Sequence, residues 1–225
     1  MAIDVETKDC TSLSDAELAE LGDICTDGPA RIDIGLLSKQ REEWVLITQA
    51  RQGDAIEGFS FCTLERIGGT PSVLIGLASV RRTPQRSEVL REMMGDQLRR
   101  AVLAFPDEDV LFGTRLIDPA GFEAFTTFTE LHDIVPRPGH KATGEERAWG
   151  RRLAKRFGVD GDYADRQFVA RADGVPPCVL DHESLDPLGV NPDVRAFFDE
   201  VDVARGDCLI AFGWAMAEDL AALEA

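Results

Sequence analysis

The chain has 225 residues, 44% of them hydrophobic, enough to bury a core without disulfide staples. Its formal net charge of −17 repels phosphate backbones and anionic lipid, which argues against nucleic-acid and membrane-surface partners. The five cysteines (Cys10, Cys25, Cys62, Cys178 and Cys208) form no CxxC, so reduced, mostly buried thiols in a cytoplasmic protein are expected.

The opening residues, Met1-Ala2-Ile3-Asp4-Val5-Glu6, are acidic and lack the apolar stretch of a secretory leader. No run approaches the roughly 20 apolar residues of a membrane helix. Residues 2–8 fit a short strand. Ser14, with Glu17 three positions on, makes a capping box, and Leu18, Leu21 and Ile24 give the helix it starts an apolar face. That helix spans about 14–25. Residues 26–42 are mixed, a loop with a short helix, and Trp44 to Gln49 reads as a strand.

Phe59 to Ile67 and Ser72 to Val80 are strand-like runs joined through Gly68-Gly69, the pattern of a hairpin. The second run is apolar on both faces, as in a covered central strand. It passes through Arg81-Arg82-Thr83-Pro84-Gln85-Arg86-Ser87 into a helix over 86–104. Leu90, Met93, Met94, Leu98, Ala101 and Val102 form that helix's apolar face. A strand from Val110 to Ile117 follows. Asp118-Pro119 is then an N-cap with proline at the first helical position, and Phe122, Phe125, Phe128 and Leu131 stripe a short helix.

Val135 to His140 is a proline-rich loop. Thr143 with Glu146 makes a second capping box and starts a helix through about Arg156. Its stripe of Arg147, Arg151, Arg152, Lys155 and Arg156 serves to patch the acidic surface rather than to hold an acidic partner. Gln167 to Arg171 and Cys178 to Leu180 read as short strands around Gly174-Val175-Pro176-Pro177. Asn191-Pro192 caps a helix through about Val201, Cys208 to Trp214 is a last strand, and Ala215 to Ala225 a terminal helix. The order predicts an α/β (α+β) fold: a mixed, mostly antiparallel central sheet flanked by helices on both faces.

His132-Asp133 and His140 surround the proline-rich loop without helical pairing, and Cys178 with His182 lacks a second pair. Both sets read as structural, and no metal is expected. No nucleotide-binding glycine motif, nucleophile elbow or HExxH occurs.

From Val73 to Leu131, about a quarter of the chain, this order resembles the GCN5-related N-acetyltransferase superfamily. The likeness lies in the hairpin, the strand Leu77-Ala78-Ser79-Val80, the turn into helix 86–104, the strand Val110 to Ile117 and the Asp118-Pro119 helix. The resemblance implies one acyl-CoA N-acyltransferase-like domain over 1–225. It would carry an inserted helix near 143–157 and an extension from about 160. It implies acetyl-CoA or another acyl-CoA as donor and a small-molecule or protein amine as acceptor. The cofactor-binding residues would be Ala78, Ser79 and Val80, pairing their backbone with the pantetheine arm, and Arg81, Arg82, Gln85, Arg86 and Ser87 at the pyrophosphate. A helix N-terminus favours anions there.

The turn departs from the family's Arg/Gln-x-x-Gly-x-Gly/Ala pattern. With Gln85 leading, Glu88 and Leu90 stand where small residues are expected. Arg81, Arg82 and Arg86 offer direct phosphate pairing instead. The alternative is a non-catalytic ligand-binding or interaction protein on the same fold. Glu65 and Asp118 are candidate bases, each with a plain alternative as strand residue and helix cap. The helix after Asp118 has no tyrosine, Tyr163 being the chain's only one, so the catalytic residues stay unassigned. The last third, from 160, completes the sheet, forms a homodimer contact or closes over a substrate, and the sequence leaves these open.

Overall fold

The computed structural model describes residues 2–26, 32–172, 180–181 and 190–222. The readings made of Gly174 to Pro177, Cys178 and His182 lie outside the described residues. Strand β1 (Asp4–Asp9) leads to α1 (Asp15–Cys25) and α2 (Ile34–Glu43), then to β2 (Leu46–Gln52), which pairs antiparallel with β1. The first capping box forms in both directions. Glu17 N–H donates to Ser14 Oγ at 3.2 Å, and Ser14 N–H donates to Glu17 Oε2 at 3.0 Å. Glu17 also accepts from Lys8 Nζ at 2.5 Å and Arg51 Nη2 at 3.1 Å, so one carboxylate ties α1 to two strands.

Burial acts to raise the Glu17 carboxyl, but hydrogen bonds from Lys8 and from the Ser14 backbone and hydroxyl outweigh it. They bring it from 4.5 down to about 2. A carboxylate with a depressed folded pKa contributes stability above its unfolded value and loses it as pH falls through the folded one. Glu17→Gln is therefore expected to cost about 2 kcal/mol at pH 7. Urea unfolding at several pH values should show this gap to wild type closing between about pH 4.5 and about pH 2. A gap that stays constant across that window would show that Glu17 contributes through packing, not charge.

β3 (Ala55–Ile67) and β4 (Thr70–Val80) form the hairpin. Gly68 and Gly69 have φ of 60° and 92°, the left-handed geometry that glycine adopts without strain. Then come α3 (Arg86–Ala104), β5 (Val110–Leu116), α4 (Pro119–Thr126), β6 (Leu131–Val135) and α5 (Gly144–Arg156). The short strands β7 (Tyr163–Ala164), β8 (Val169–Ala170) and β9 (Leu180–Asp181) follow. The short helix α6 (Pro192–Arg195), β10 (Cys208–Ala215) and α7 (Ala217–Ala222) end the described chain.

The sheet order is β1-β2-β3-β4-β5-β10-β8-β7, with β6 also on β10 and β9 also on β4. Only β4–β5 and β4–β9 are parallel among the described pairs. This is the expected mixed, mostly antiparallel sheet with helices on both faces. A Cβ at Gly58 would meet Val89 and Met93, which puts α3 on one face. A Cβ at Gly113 would meet Leu153, which puts α5 on the other.

Three local readings change. The Phe122–Leu131 stripe is not one helix, because α4 ends at Thr126 and Leu131 opens β6 opposite Ala215. The hydroxyls of Thr126 and Thr127 turn back onto the carbonyls of Glu123 (2.8 Å) and Ala124 (2.7 Å), which closes the last turn. The helix after Asn191 is one turn, followed by a 3₁₀ turn over Ala196–Phe198 that sets Phe197 edge-on to Phe122 at 5.4 Å. Trp44 is the C-cap of α2 rather than a strand residue. Both its backbone N–H and its Nε1 donate to Gln40, each at 3.0 Å.

Helix α3 is pinned by buried polar groups as well as by its apolar face. Gln97 Nε2 donates to Ser60 Oγ (3.0 Å) and Thr48 Oγ1 (3.3 Å), while Asp96 accepts from Thr7 Oγ1 (2.6 Å) and Arg100 Nε (2.8 Å). These bonds span β1, β2 and β3, so the second half of α3 is held at a fixed place on the sheet.

Candidate active site

Two registers define the site. Ser60 lies opposite Ala78 and Cys62 opposite Ile75, so β3 advances two residues while β4 advances three. The extra residue is a β-bulge at Gly76–Leu77, and a bulge bends its strand. The parallel rungs between β4 and β5 run Ser72–Leu111, Val73–Phe112 and Leu74–Gly113, and stop there. β5 continues along β10 as far as the Leu116–Leu209 rung. The second half of β4, with Ala78, Ser79 and Val80, therefore diverges from β5, and a wedge opens between them. In that wedge β9 runs parallel to β4, with Leu180 opposite Ala78 and Asp181 opposite Ser79.

An aromatic bridge crosses the wedge on the face opposite α3. Gly76 lies under the Trp44 indole: a Cβ there would sit 2.5 Å from Cζ2 and 2.7 Å from Nε1. The Trp44 ring is 6.4 Å from that of Phe157, and the Arg115 guanidinium carbon is 4.9 Å above the Phe157 ring. Gly76 is on β4 and Arg115 on β5, so the bridge links the two diverging strands.

The turn after β4 is built from backbone bonds. Arg81 N–H donates to Glu57 O at 2.7 Å, and Arg81 Nε donates to Ile56 O at 2.8 Å, which commits that side chain partly to the strand edge. Thr83 N–H donates to Arg81 O at 2.8 Å and Arg86 N–H to Thr83 O at 3.1 Å. Gln85 is the N-cap of α3 and makes no side-chain cap bond, and Glu88 stands exposed in the first turn. Arg82 is exposed, Arg86 is half-buried, and Ser87 lies on the rim of a cavity of about 230 Å³.

That cavity is also lined by Leu90 and Arg91 of α3 and by Ala124, Thr127, Phe128, Thr129 and Glu130 in and after α4, so one carboxylate shares it with Arg91. Arg86 and Arg91 form no ion pair among the described residues. Sequence reading missed Arg91, although Ser87, Leu90 and Arg91 follow helical i, i+3, i+4 spacing and must share a face.

The structure brings the β4 residues and the turn residues to one end of the wedge, and gives the candidate bases other partners. Glu65 Oε1 accepts from Arg156 Nε at 2.6 Å, and Asp118 Oδ1 caps α4 by accepting from Gly121 N–H at 2.8 Å. Tyr163 is packed against Gly150 of α5 with its hydroxyl buried, and burial pushes its phenol well above the ordinary value. His132 pairs with Asp219 at 2.7 Å and His140 with Glu146 at 2.9 Å, so the two histidines serve separate contacts. The basic stripe of α5 is used internally: Arg151 pairs with Asp165, Arg156 with Glu65, and Arg152 stacks 4.5 Å over Trp149. Burial pushes the thiols of Cys10 and Cys62 up to about 12, which keeps both protonated.

No protein-family model and no curated protein matches the sequence. Among solved structures, the chain is similar to the ribosomal-protein-S18-alanine N-acetyltransferase of Escherichia coli, with 10% identity and a TM-score of 0.48 over 95% of each chain. It is similar to an acyl-CoA N-acyltransferase of Pseudomonas aeruginosa at 15% identity and a TM-score of 0.42, over 63% of this chain and 89% of the other. Ard1 of Thermoplasma volcanium is 13% identical with a TM-score of 0.43, over 59% and 86%. By its own strand order, its bulged and diverging fourth strand and the helix that follows, the chain has a mixed, mostly antiparallel α/β fold with helices on both faces of an open sheet.

Proposed function

We propose that the protein is an acyl-CoA-dependent N-acyltransferase acting on a small amine or a protein amine, with acetyl-CoA or another acyl-CoA as donor. One observation carries this reading: the bulge at Gly76–Leu77 ends the β4–β5 ladder and turns the Ala78–Val80 edge into a wedge that opens at the start of α3. A linear arm with amide groups pairs with such an edge as a strand would. The phosphate end also fits. Arg86 and Arg91 have no ion pair among the described residues, and Ser87 and Arg91, together with Glu130, line the cavity between the first turns of α3 and the end of α4. Arg82 and Gln85 stand beside them, while Arg81 contributes mainly by holding the turn.

In acyl transfer the neutral acceptor amine attacks the thioester carbonyl, the C–N bond forms as the C–S bond breaks, and the amine's proton goes to the leaving coenzyme A thiolate. The chain's part is to hold that carbonyl in the wedge and to admit the amine from the other face. The acidic surface favours a cationic amine on approach. On this reading residues 1–225 are one domain of a cytoplasmic protein, with α5 inserted and the chain from about 160 as an extension.

The pairing of β9 with Ala78 and Ser79 favours a second reading, in which the chain's own strand holds the edge and the protein is a non-catalytic binding or interaction module. Calorimetric titration with acetyl-CoA separates the two. The first expects saturable binding, in the micromolar range. No heat at millimolar ligand would leave only the second.

A further inference from the structure

Arg115 is 7% exposed, and its Nε is buried without a hydrogen-bond partner. Its guanidinium forms no ion pair among the described residues and lies over the Phe157 ring. The carbonyls at the end of α5 do not account for it. Leu153 O already accepts from Phe157 N–H (2.8 Å), Ala154 O from Val159 N–H (2.9 Å) and Lys155 O from Gly158 N–H (3.1 Å). A cation over an aromatic face recovers only part of what burying an arginine costs, and buried charges are as a rule paired. The position is specific as well. Arg115 lies two residues past the last β4–β5 rung, on the face opposite α3, at the β5 end of the aromatic bridge.

We propose that Arg115 is the anion-recognising residue of the acceptor subsite, and that the acceptor is a small primary amine that also carries a carboxylate. This rests on the acyltransferase reading only in taking the wedge as the place of reaction. The planar guanidinium fork matches a carboxylate in two parallel hydrogen bonds, which fixes the acceptor's orientation while its amine points into the wedge. A carboxylate would be repelled by the acidic surface, so a buried, otherwise unpaired arginine is what holds it. The amine's own positive charge keeps such a zwitterion acceptable to the surrounding field.

The test uses thermal shift with the twenty α-amino acids and their carboxamides at millimolar concentration, without and then with coenzyme A. Wild type, Arg115→Met and Arg115→Lys are compared, with circular dichroism to confirm that each variant is folded. At least one carboxylate-bearing amine is expected to raise the wild-type Tm while its amide does not. Arg115→Met should lose the shift, and Arg115→Lys should keep a smaller one because it retains charge without the fork. The proposal is overturned if no amino acid shifts wild type, if the amides act equally, or if Arg115→Met keeps the shift. Should Arg115→Met not fold, a full-sized shift in Arg115→Lys has the same consequence. An Arg115-dependent shift in a protein that does not bind acetyl-CoA would sink the acyltransferase reading alone. Acetyl-CoA binding with no such shift would sink the acceptor proposal alone.

Discussion

Gly76→Ala is expected to destabilise the protein by about 3 kcal/mol, a fall of about 6–12 °C in Tm for a chain of this size. The added methyl has no room. It would stand 2.5–2.7 Å from atoms of the Trp44 indole, and that ring is itself 7% exposed and hydrogen-bonded to Gln40. A planar ring held at both ends cannot bend away, so either it leaves its pocket or the bulge flattens. Gly113→Ala is the control. There the new atom meets Leu153 Cδ2 at 2.9 Å and Leu74 Cδ2 at 3.1 Å, the ends of side chains that can rotate, and the cost should be about 1 kcal/mol. Trp44→Phe in the Gly76→Ala background should recover part of the loss, because the smaller ring frees the crowded edge. Thermal unfolding of the four proteins decides the matter. A Gly76→Ala protein that melts with wild type would show that the indole does not hold the bulge.

Gly76 also shows where sequence reading reaches its limit. Both capping boxes, the Gly-Gly hairpin and the bounds of α3 are legible because each is set by residues within a few positions of one another. A bulge is a mismatch between two strands. Nothing in Ile75-Gly76-Leu77-Ala78 alone says that β3 will advance two residues there while β4 advances three. The same holds for the chain from Gly76 through Trp44 and Phe157 to Arg115, whose members are 32 to 113 positions apart. Leu131 was misread for a related reason. Helical spacing extends the Phe122 stripe to it, but backbone competition from Thr126 and Thr127 stops the helix, and pairing with Ala215 makes Leu131 a strand residue.

The candidate site divides along the same line. The β4 edge and the arginine turn are contiguous in sequence, so Ala78 to Ser87 could be named as a unit. The wedge itself needs β5 to follow β10 instead of β4, which is a property of three strands. β9 illustrates the point: a strand near Cys178 to Leu180 was expected, yet its pairing with Ala78 and Ser79 could not be. That pairing means that the chain's own strand already holds the Ala78–Ser79 edge.

At the proposed phosphate end, Arg86→Ala with Arg91→Ala is expected to weaken acetyl-CoA binding by about 100- to 1000-fold at low salt. Each lost charge-assisted hydrogen bond is worth about 1.5–3 kcal/mol. The effect should be large because the rest of the molecule works against the ligand. At a net charge of −17, an anion is repelled at long range, and only local cations can reverse the sign. Arg86 and Arg91 have no carboxylate partner among the described residues, unlike Arg100, whose Nε donates to Asp96 at 2.8 Å. Arg99, at the far end of α3, is the control: Arg99→Ala should bind as wild type. If the proposed phosphate site is right, Glu88→Gln should bind about two- to fivefold more tightly, since it removes an anion from the first turn of α3. Raising the salt should weaken wild type more than the double variant, because screening removes an attraction that the variant no longer has. Titration calorimetry at two ionic strengths measures all four proteins. If the double variant matches wild type at both, these arginines are solvated surface charges and the proposed phosphate site is wrong.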